Sequence, residues 1–277
     1  MPSSKGKILV IGGTGAQGVP VVKSFAPGSK HAVRVLTRDA SSSSASELAA
    51  IPGVEIFEGN SYDEATLRKA FVGIDYAFVN TNGFAIGEKA EIYWGIRMYE
   101  LAREFGLKHF IYAGLEYASK LGNFDPKYRC GHLDGKAKVT DYLSAHRRPR
   151  RRAPLGTAKC PLIYLKDYGD YARWMLDTPA RSNGLVLHVA TEDISWKDLT
   201  AAFTEVTGIK FRGEGWAFGY LPTLFTIREN YSGFWNTWKD ELTKRDFKLL
   251  DEILPTRVKS VKEWMKKTEY KGESAPV

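Results

Sequence analysis

Lys7-Ile-Leu-Val-Ile-Gly12-Gly13-Thr14-Gly15-Ala16-Gln17-Gly18 is the stretch whose reading decides the fold. An apolar run, Ile8–Ile11, stops at glycines, and Val19, Val21, Val22 and Phe25 then recur at helical spacing. Glycines in a strand–turn–helix have separate uses. One turns the chain tightly, one lets bare backbone approach a pyrophosphate, and one lets the helix pack on its strand. Backbone N–H groups at the helix start then face the phosphates. A glycine run alone would suit an ordinary turn; the flanking strand and helix favour dinucleotide binding.

Outward from this turn, strand and helix signals alternate. Ala32–Thr37, Val54–Phe57, Tyr76–Val79 and His109–Ala113 read as further strands. Helices are expected at Gln17–Phe25, after the N-cap Asp63, at Glu88–Phe105 and at Gly131–Ser144. Ile92, Ile96, Leu101 and Phe105 form the apolar stripe of the long one, and Ser41–Ser44 reads as a loop. The pattern is that of an α/β protein whose parallel sheet is covered on both faces.

The rhythm breaks at His146–Arg152, which holds five arginines and no apolar residue. Beyond it come a strand at Cys160–Leu165, a helix at Asp167–Leu176, a strand at Leu185–Val189, and a helix at Ser195–Val206. The tail is aromatic-rich, with Trp216, Phe218, Tyr220, Phe225, Tyr231, Phe234, Trp235 and Trp238, and helical again at Ser260–Lys267. Those aromatics suit either a pocket or, preferably, a small core.

The 277 residues suffice for one large or two modest domains. Of the net charge of +8, subtracting the five arginines leaves +3. The basic character is thus local, and a nucleic-acid partner is not favoured. No apolar run is long enough to span a bilayer, and Met1–Lys7 lacks a signal-peptide core. A cytoplasmic protein is expected, with the nucleus as the second compartment. Cys130 and Cys160 have no CxxC or histidine partner at metal spacing, so buried thiols and no metal are expected.

Ligands of an open parallel sheet lie beyond the carboxyl ends of its strands. The second strand ends in Thr37-Arg38-Asp39, with Arg38 20 residues after Gly18. A guanidinium suits a ribose 2′-phosphate, whereas an acid suits free ribose hydroxyls. NADP is therefore favoured over NAD, provided that Asp39 turns away. Asn60, after Gly59, would hydrogen-bond an adenine edge, and Asn80-Thr81-Asn82 would line the nicotinamide half. Each of these also suits a local turn. Tyr128-x3-His132-x3-Lys136 puts three groups on one helical face if the helix reaches back that far. Spacing alone leaves a ribose-binding lysine and a solvated amphipathic face as equal alternatives.

Gly12–Gly18, Val35–Arg38, Glu58–Asn60 and His132-Leu-Asp-Gly-Lys136 together resemble the NmrA-like family, atypical extended short-chain dehydrogenase/reductases. Trp196–Gly208 and Leu249–Tyr270 look like its fungal branch. The resemblance covers 5–145 and 153–272. It implies a doubly wound Rossmann domain over 1–145 and a smaller C-terminal α+β domain at 154–277, with 185–208 free to pack back on the first; a basic loop at 146–153 is expected between them. It assigns phosphate contacts to Gly12, Gly13, Thr14, Gly15, Ala16, Gln17 and Gly18, the 2′-phosphate to Arg38, adenine to Gly59-Asn60, and the groove to Asn80, Thr81 and Asn82. Lys136 matches the lysine of the family's Tyr-x3-Lys pair, but His132 stands where typical short-chain dehydrogenases have the catalytic tyrosine. Lys136 and His132 are thus the candidate catalytic residues. A second departure is the arginine run, where the family has a further strand and helix. One sheet strand is therefore expected to be missing around 145–153, leaving strand five as an edge. Three readings follow: an NADPH-dependent oxidoreductase of a small, secondary-metabolite-like substrate, an NADP(H)-sensing regulator with a protein partner, or a paralogue that binds cofactor poorly.

Overall fold

The computed structural model describes residues 6–26, 31–145, 159–209, 233, 236–238, 240 and 242–271. The arginine run and all but Trp238 of the tail aromatics named above lie outside these. In chain order the elements are β1 (Lys7–Ile11), α1 (Gly18–Phe25), β2 (Ala32–Thr37), α2 (Ser43–Ala49), β3 (Val54–Glu58), α3 (Glu64–Phe71), β4 (Tyr76–Val79), α4 (Gly83–Glu104) and β5 (His109–Tyr112). They continue with α5 (Ala118–Leu121), a 3-10 turn (Pro126–Tyr128), α6 (Gly131–Ala145), β6 (Cys160–Leu162), α7 (Leu165–Asp177), α8 (Pro179–Ser182), β7 (Glu192–Ile194) and α9 (Trp196–Thr207). Two helices, Phe247–Ile253 and Val261–Lys267, close the described chain.

β1–β5 form one parallel sheet in the order β3-β2-β1-β4-β5. Successive residues of a strand face opposite sides, and both sides here are apolar. Ile8 and Val10 pack with Val33, Val35 and Phe78 against Val21, Val22 and Phe25 of α1. Leu9 and Ile11 pack with Ala77 and Val79 against Leu67 and Phe71 of α3 and Met98 and Leu101 of α4. The chain leaves β1 towards β2 on one side and returns to β4 on the other. This makes the β1–β4 boundary the topological switch point, where doubly wound sheets place ligands. Among the described residues β5 pairs only with β4, so it is the edge expected of it.

Three local readings change. The serine run is not wholly loop: Ser42 accepts a hydrogen bond from Ala45 N and caps α2. Leu185–Val189 is irregular, and the second strand after the arginine run is Glu192–Ile194, paired antiparallel with Cys160–Leu162. A strand needs a ladder partner, and residues 185–189 have none in the described chain. The buried face of α4 carries Glu91, Gly95, Met98, Leu101 and Ala102, so it is turned from the expected Ile92–Ile96 stripe.

The chain divides into two compact units. The first takes described residues from Met1–Tyr117, Gly131–Arg152 and Tyr168–Leu187. The second takes them from Ala118–Cys130, Ala153–Asp167 and His188–Val277. Tyr168–Leu187 belongs with the sheet because Ala172 and Leu176 join the α1 core and Ser24 Oγ donates to Asp170 at 2.8 Å. The second unit has its own core of Cys160, Ile194, Val261 and Met265, packed by Phe203, Trp238 and Trp264. Both cysteines are buried, and neither forms a disulfide. Among the described residues no helix is long and apolar enough to cross a membrane.

Candidate functional site

β1 runs into the glycine turn without a break. Gly12 has φ +78°, and a Cβ there would stand 2.4 Å from the Asn80 carbonyl oxygen. At Gly18 a Cβ would stand 2.0 Å from the Gly12 oxygen, so α1 can begin this close to β1 only with glycine. Gly15 N donates to Gly12 O at 3.2 Å, leaving Gly15, Ala16 and Gln17 exposed at the crown. α1 opens with no side-chain cap; Gly18 N and Val19 N donate to Gly15 O at 2.9 and 3.0 Å, and Pro20 has no N–H to satisfy. A pyrophosphate fits this cradle: bare, exposed backbone and the positive end of a helix dipole coincide.

The other strand ends line up beside it in sheet order. Arg38 is exposed after β2. Asp39 accepts hydrogen bonds from Ser41 Oγ at 2.6 Å and Ser41 N at 2.8 Å, which lower its pKa and tie it into a local turn. Gly59 N donates to Thr37 O at 2.8 Å, fixing the end of β3 against β2. Asn60 accepts from Tyr62 N at 2.9 Å through its side-chain oxygen. Asn82 caps α4 by accepting from Ala85 N, and Thr14 Oγ1 lies 3.5 Å from Thr37 Oγ1. Asn80 Nδ2 donates to Gln17 at 2.8 Å, joining the end of β4 to the glycine turn.

Lys136 is not on a solvated face. It is 7% exposed and enters the end of β4 from α6. Its Nζ donates to Thr81 O at 2.7 Å, Thr81 Oγ1 at 3.1 Å and Asn80 Oδ1 at 3.3 Å, and lies 3.0 Å from Glu91 Oε1. Glu91 is fully buried and also accepts from Thr81 Oγ1 and, at 2.9 Å, from Tyr112 Oη. Burial lowers the Lys136 pKa and the Glu91 charge opposes that. Burial, with the Glu91 charge, holds the Tyr112 hydroxyl well above its ordinary range. Glu91 and Tyr112 were not anticipated. The signal was available for Glu91, since spacing puts it on one face with Gly95, Met98 and Ala102. Gly95 makes the arrangement reachable: its bare Cα faces Val139, letting α4 and α6 approach closely.

A buried lysine one side chain away from a glycine turn, at the switch point of a parallel sheet, can be set beside known proteins. Residues 4–150, over half of the chain, match the NmrA-like family. The chain belongs to the NmrA-like family. Among curated relatives, the oxidoreductase malD of Malbranchea aurantiaca is 33% identical over 262 residues, covering 76% of each chain. The oxidoreductase hkm9 of Aspergillus hancockii is 27% identical over 256 residues, again 76% of each. Among solved structures, NmrA, a negative transcriptional regulator in complex with NADP, superposes with a TM-score of 0.72 at 17% identity, covering 97% of this chain and 98% of that one. The NADPH-dependent quinone oxidoreductase QOR2 of Escherichia coli, complexed with NADPH, reaches 0.69 at 16%, covering 95% and 99%.

In this NmrA-like chain His132 is not a ready acid. His132 stacks on Phe84 at 4.3 Å between ring centroids. Burial first, and the Lys136 charge second, push its pKa down to about 4. Tyr128 does not share the face of His132 and Lys136, because α6 begins only at Gly131. Its hydroxyl donates to Asp240 at 2.5 Å within the second unit.

Proposed function

We propose that the chain is an NADP(H)-dependent oxidoreductase acting on a small-molecule substrate of secondary-metabolite type, in the cytoplasm. One observation carries this reading: the Lys136 ammonium is buried at the switch point, joined through Asn80 to the glycine turn. Gly12–Gly18 bind the pyrophosphate, and Arg38 takes the 2′-phosphate while Asp39 is held away by Ser41. Asn60 meets adenine through its amide nitrogen, since its oxygen is engaged by Tyr62 N, with Gly59 as its backbone support. Asn80, Thr81 and Asn82 line the nicotinamide half. A nicotinamide bound there supplies or accepts hydride. Lys136 orients the ribose with the hydrogen now given to Asn80, and solvent water supplies the substrate's proton; neutral His132 shapes the wall. Residues 1–145 carry the cofactor and 154–277 the substrate or partner contacts.

The same His132 favours a second reading. With no acid placed at the tyrosine position, cofactor is bound without turnover and the protein works as an NADP(H) sensor with a protein partner. NmrA, the regulator, is similar to this chain in fold.

Melting curves with NADPH and with NADH come first. A ligand selective for the folded state raises the midpoint by mass action. Both readings expect a larger rise with NADPH, and no rise with either sinks both. NADPH consumption against a panel of small carbonyl and quinone substrates then separates them. The oxidoreductase reading expects turnover that Lys136→Met abolishes. Tight binding with no turnover across the panel supports the sensor.

A further inference from the structure

Glu91 is fully shielded from solvent, on a helix face otherwise lined by Gly95, Met98, Leu101 and Ala102. Two glycines make room for it. A Cβ on Gly83 would stand 2.5 Å from Glu91 Oε2, and one on Gly135 would stand 3.2 Å from its Cγ. Three donors converge on Oε1: Thr81 Oγ1, Tyr112 Oη and Lys136 Nζ. Oε2 is buried with no hydrogen-bond partner in the described chain. A carboxylate kept for stability alone would have both oxygens bonded, or could give way to an apolar side chain of similar volume. Here one oxygen is left bare, and bare backbone is kept on two helices to admit it.

We propose that Glu91 is the positioning residue of the strand-end site: its buried charge keeps Lys136 a cation and holds that ammonium where the cofactor ribose would lie. This rests on the reading of Lys136 as a cofactor-handling group. Every hydrogen of the ammonium has an assigned direction. One goes to Thr81 O, one to Glu91 Oε1, and the third to Thr81 Oγ1 or Asn80 Oδ1, the side that faces the glycine turn. Tyr112 of β5, with its hydroxyl protonated, spends its hydrogen on Glu91 and so adds no charge. On α6 itself stand His132, held neutral, and Asp134, whose charge is felt at His132. Tyr62 feels the Glu91 charge from the other side. Among the described residues Glu91 is the acid in ion-pair reach of Nζ. Without it, burial acts on Lys136 unopposed and favours the neutral amine.

The test reads Lys136 directly, in protein free of cofactor. The pH titration of its side chain is followed by NMR on lysine labelled at Cε, with the resonance identified by its loss in Lys136→Arg. Glu91→Gln keeps the shape and removes the charge. The Lys136 midpoint should fall by about two pH units, the size of effect an adjacent opposite charge exerts. Tyr112→Phe, which removes a hydrogen bond but no charge, should leave it within about half a unit. A midpoint that Glu91→Gln does not move overturns the proposal, as does an equal fall in Tyr112→Phe. If Glu91→Gln does not fold, Glu91→Asp withdraws the charge by one methylene and should give a partial fall; no fall overturns the proposal. NADPH affinity supplies a separate readout. Glu91→Gln should bind more weakly than wild type at alkaline pH and regain wild-type affinity as the pH falls and the amine is reprotonated; equal affinity at every pH overturns the proposal. If wild type fails to bind NADPH at all, the cofactor reading falls while the titration still decides the role of Glu91.

Discussion

The buried pair of Glu91 and Lys136 allows a sharp stability prediction through a double-mutant cycle. At 3.0 Å the two charges attract by roughly 5–6 kcal/mol at an effective dielectric near 20. Most of that offsets the cost of taking both out of water. Lys136→Met removes the cation, leaves Thr81 O without its 2.7 Å donor, and strands the Glu91 charge. Breaking such a pair from one side costs about 3–5 kcal/mol, a large share of a typical total stability of about 5–15 kcal/mol. Glu91→Gln strands the ammonium instead, with a loss on the order of 2 kcal/mol because an amine can shed its proton. The double variant has neither charge and should lie within about 1 kcal/mol of wild type. Urea unfolding of the four proteins at neutral pH, with slopes compared to check that the transition is unchanged, reads these differences. The expected coupling is about 3 kcal/mol or more. Costs that add to within about 0.5 kcal/mol would refute the reasoning, because they would mean that the two groups do not feel each other.

Three further outcomes follow from the same geometry. Arg38→Ala should weaken NADPH about tenfold or more and leave NADH unchanged, since one charge-assisted contact to a phosphate is worth about 1.5–3 kcal/mol; equal losses for both cofactors in a fluorescence titration count against the 2′-phosphate role. Gly18→Ala forces a Cβ to 2.0 Å from Gly12 O and 2.6 Å from Gly13 Cα, so the melting shift with NADPH should vanish and the apo protein should lose about 1–3 kcal/mol; a retained shift contradicts the cradle. His132 has a folded pKa of about 4 against an ordinary 6.5, so the unfolded chain takes up the proton first as pH falls. Its contribution to stability is intact above pH 6.5 and is lost as pH drops towards about 4. The full shift would be worth about 3.4 kcal/mol, and solvent at this half-buried ring reduces it to roughly 1–2 kcal/mol. Unfolding curves at about pH 7 and pH 5 should show His132→Asn losing about 1 kcal/mol less than wild type, and an equal loss means that the ring is already solvated.

Much of the fold could be read from local chemistry. Ile8–Ile11 is apolar at every position because a central parallel strand is buried on both faces, and at Gly12 and Gly18 after it no other residue fits. Asp63, Ser195 and Ser260 cap the helices they precede through bonds to a backbone N–H three residues on. Such features act over a few residues, so spacing reveals them. Asp39 marks the limit: its residue type alone argued for free ribose hydroxyls, and only the bonds from Ser41 show where its carboxylate goes.

What tertiary structure decided depends on residues far apart in the chain. Lys136 looked equally suited to solvent because its neighbours are charged; it is buried because Gly95 lets α6 close on α4 and bring it to Glu91 and Thr81. Tyr128, His132 and Lys136 share a spacing of four, but the helix starts at Gly131 and the tyrosine is spent on Asp240. Tyr168–Leu187 returns to the sheet because its apolar face matches that of α1, from which it is separated by well over a hundred residues. The sequence by itself determined the five strands of the parallel sheet, the turn and the caps, each set by sterics and hydrogen bonds within a few residues. Which polar groups would meet at the strand ends, and with what charge, was decided by how closely the helices could pack, a property of the assembled core rather than of any segment in it.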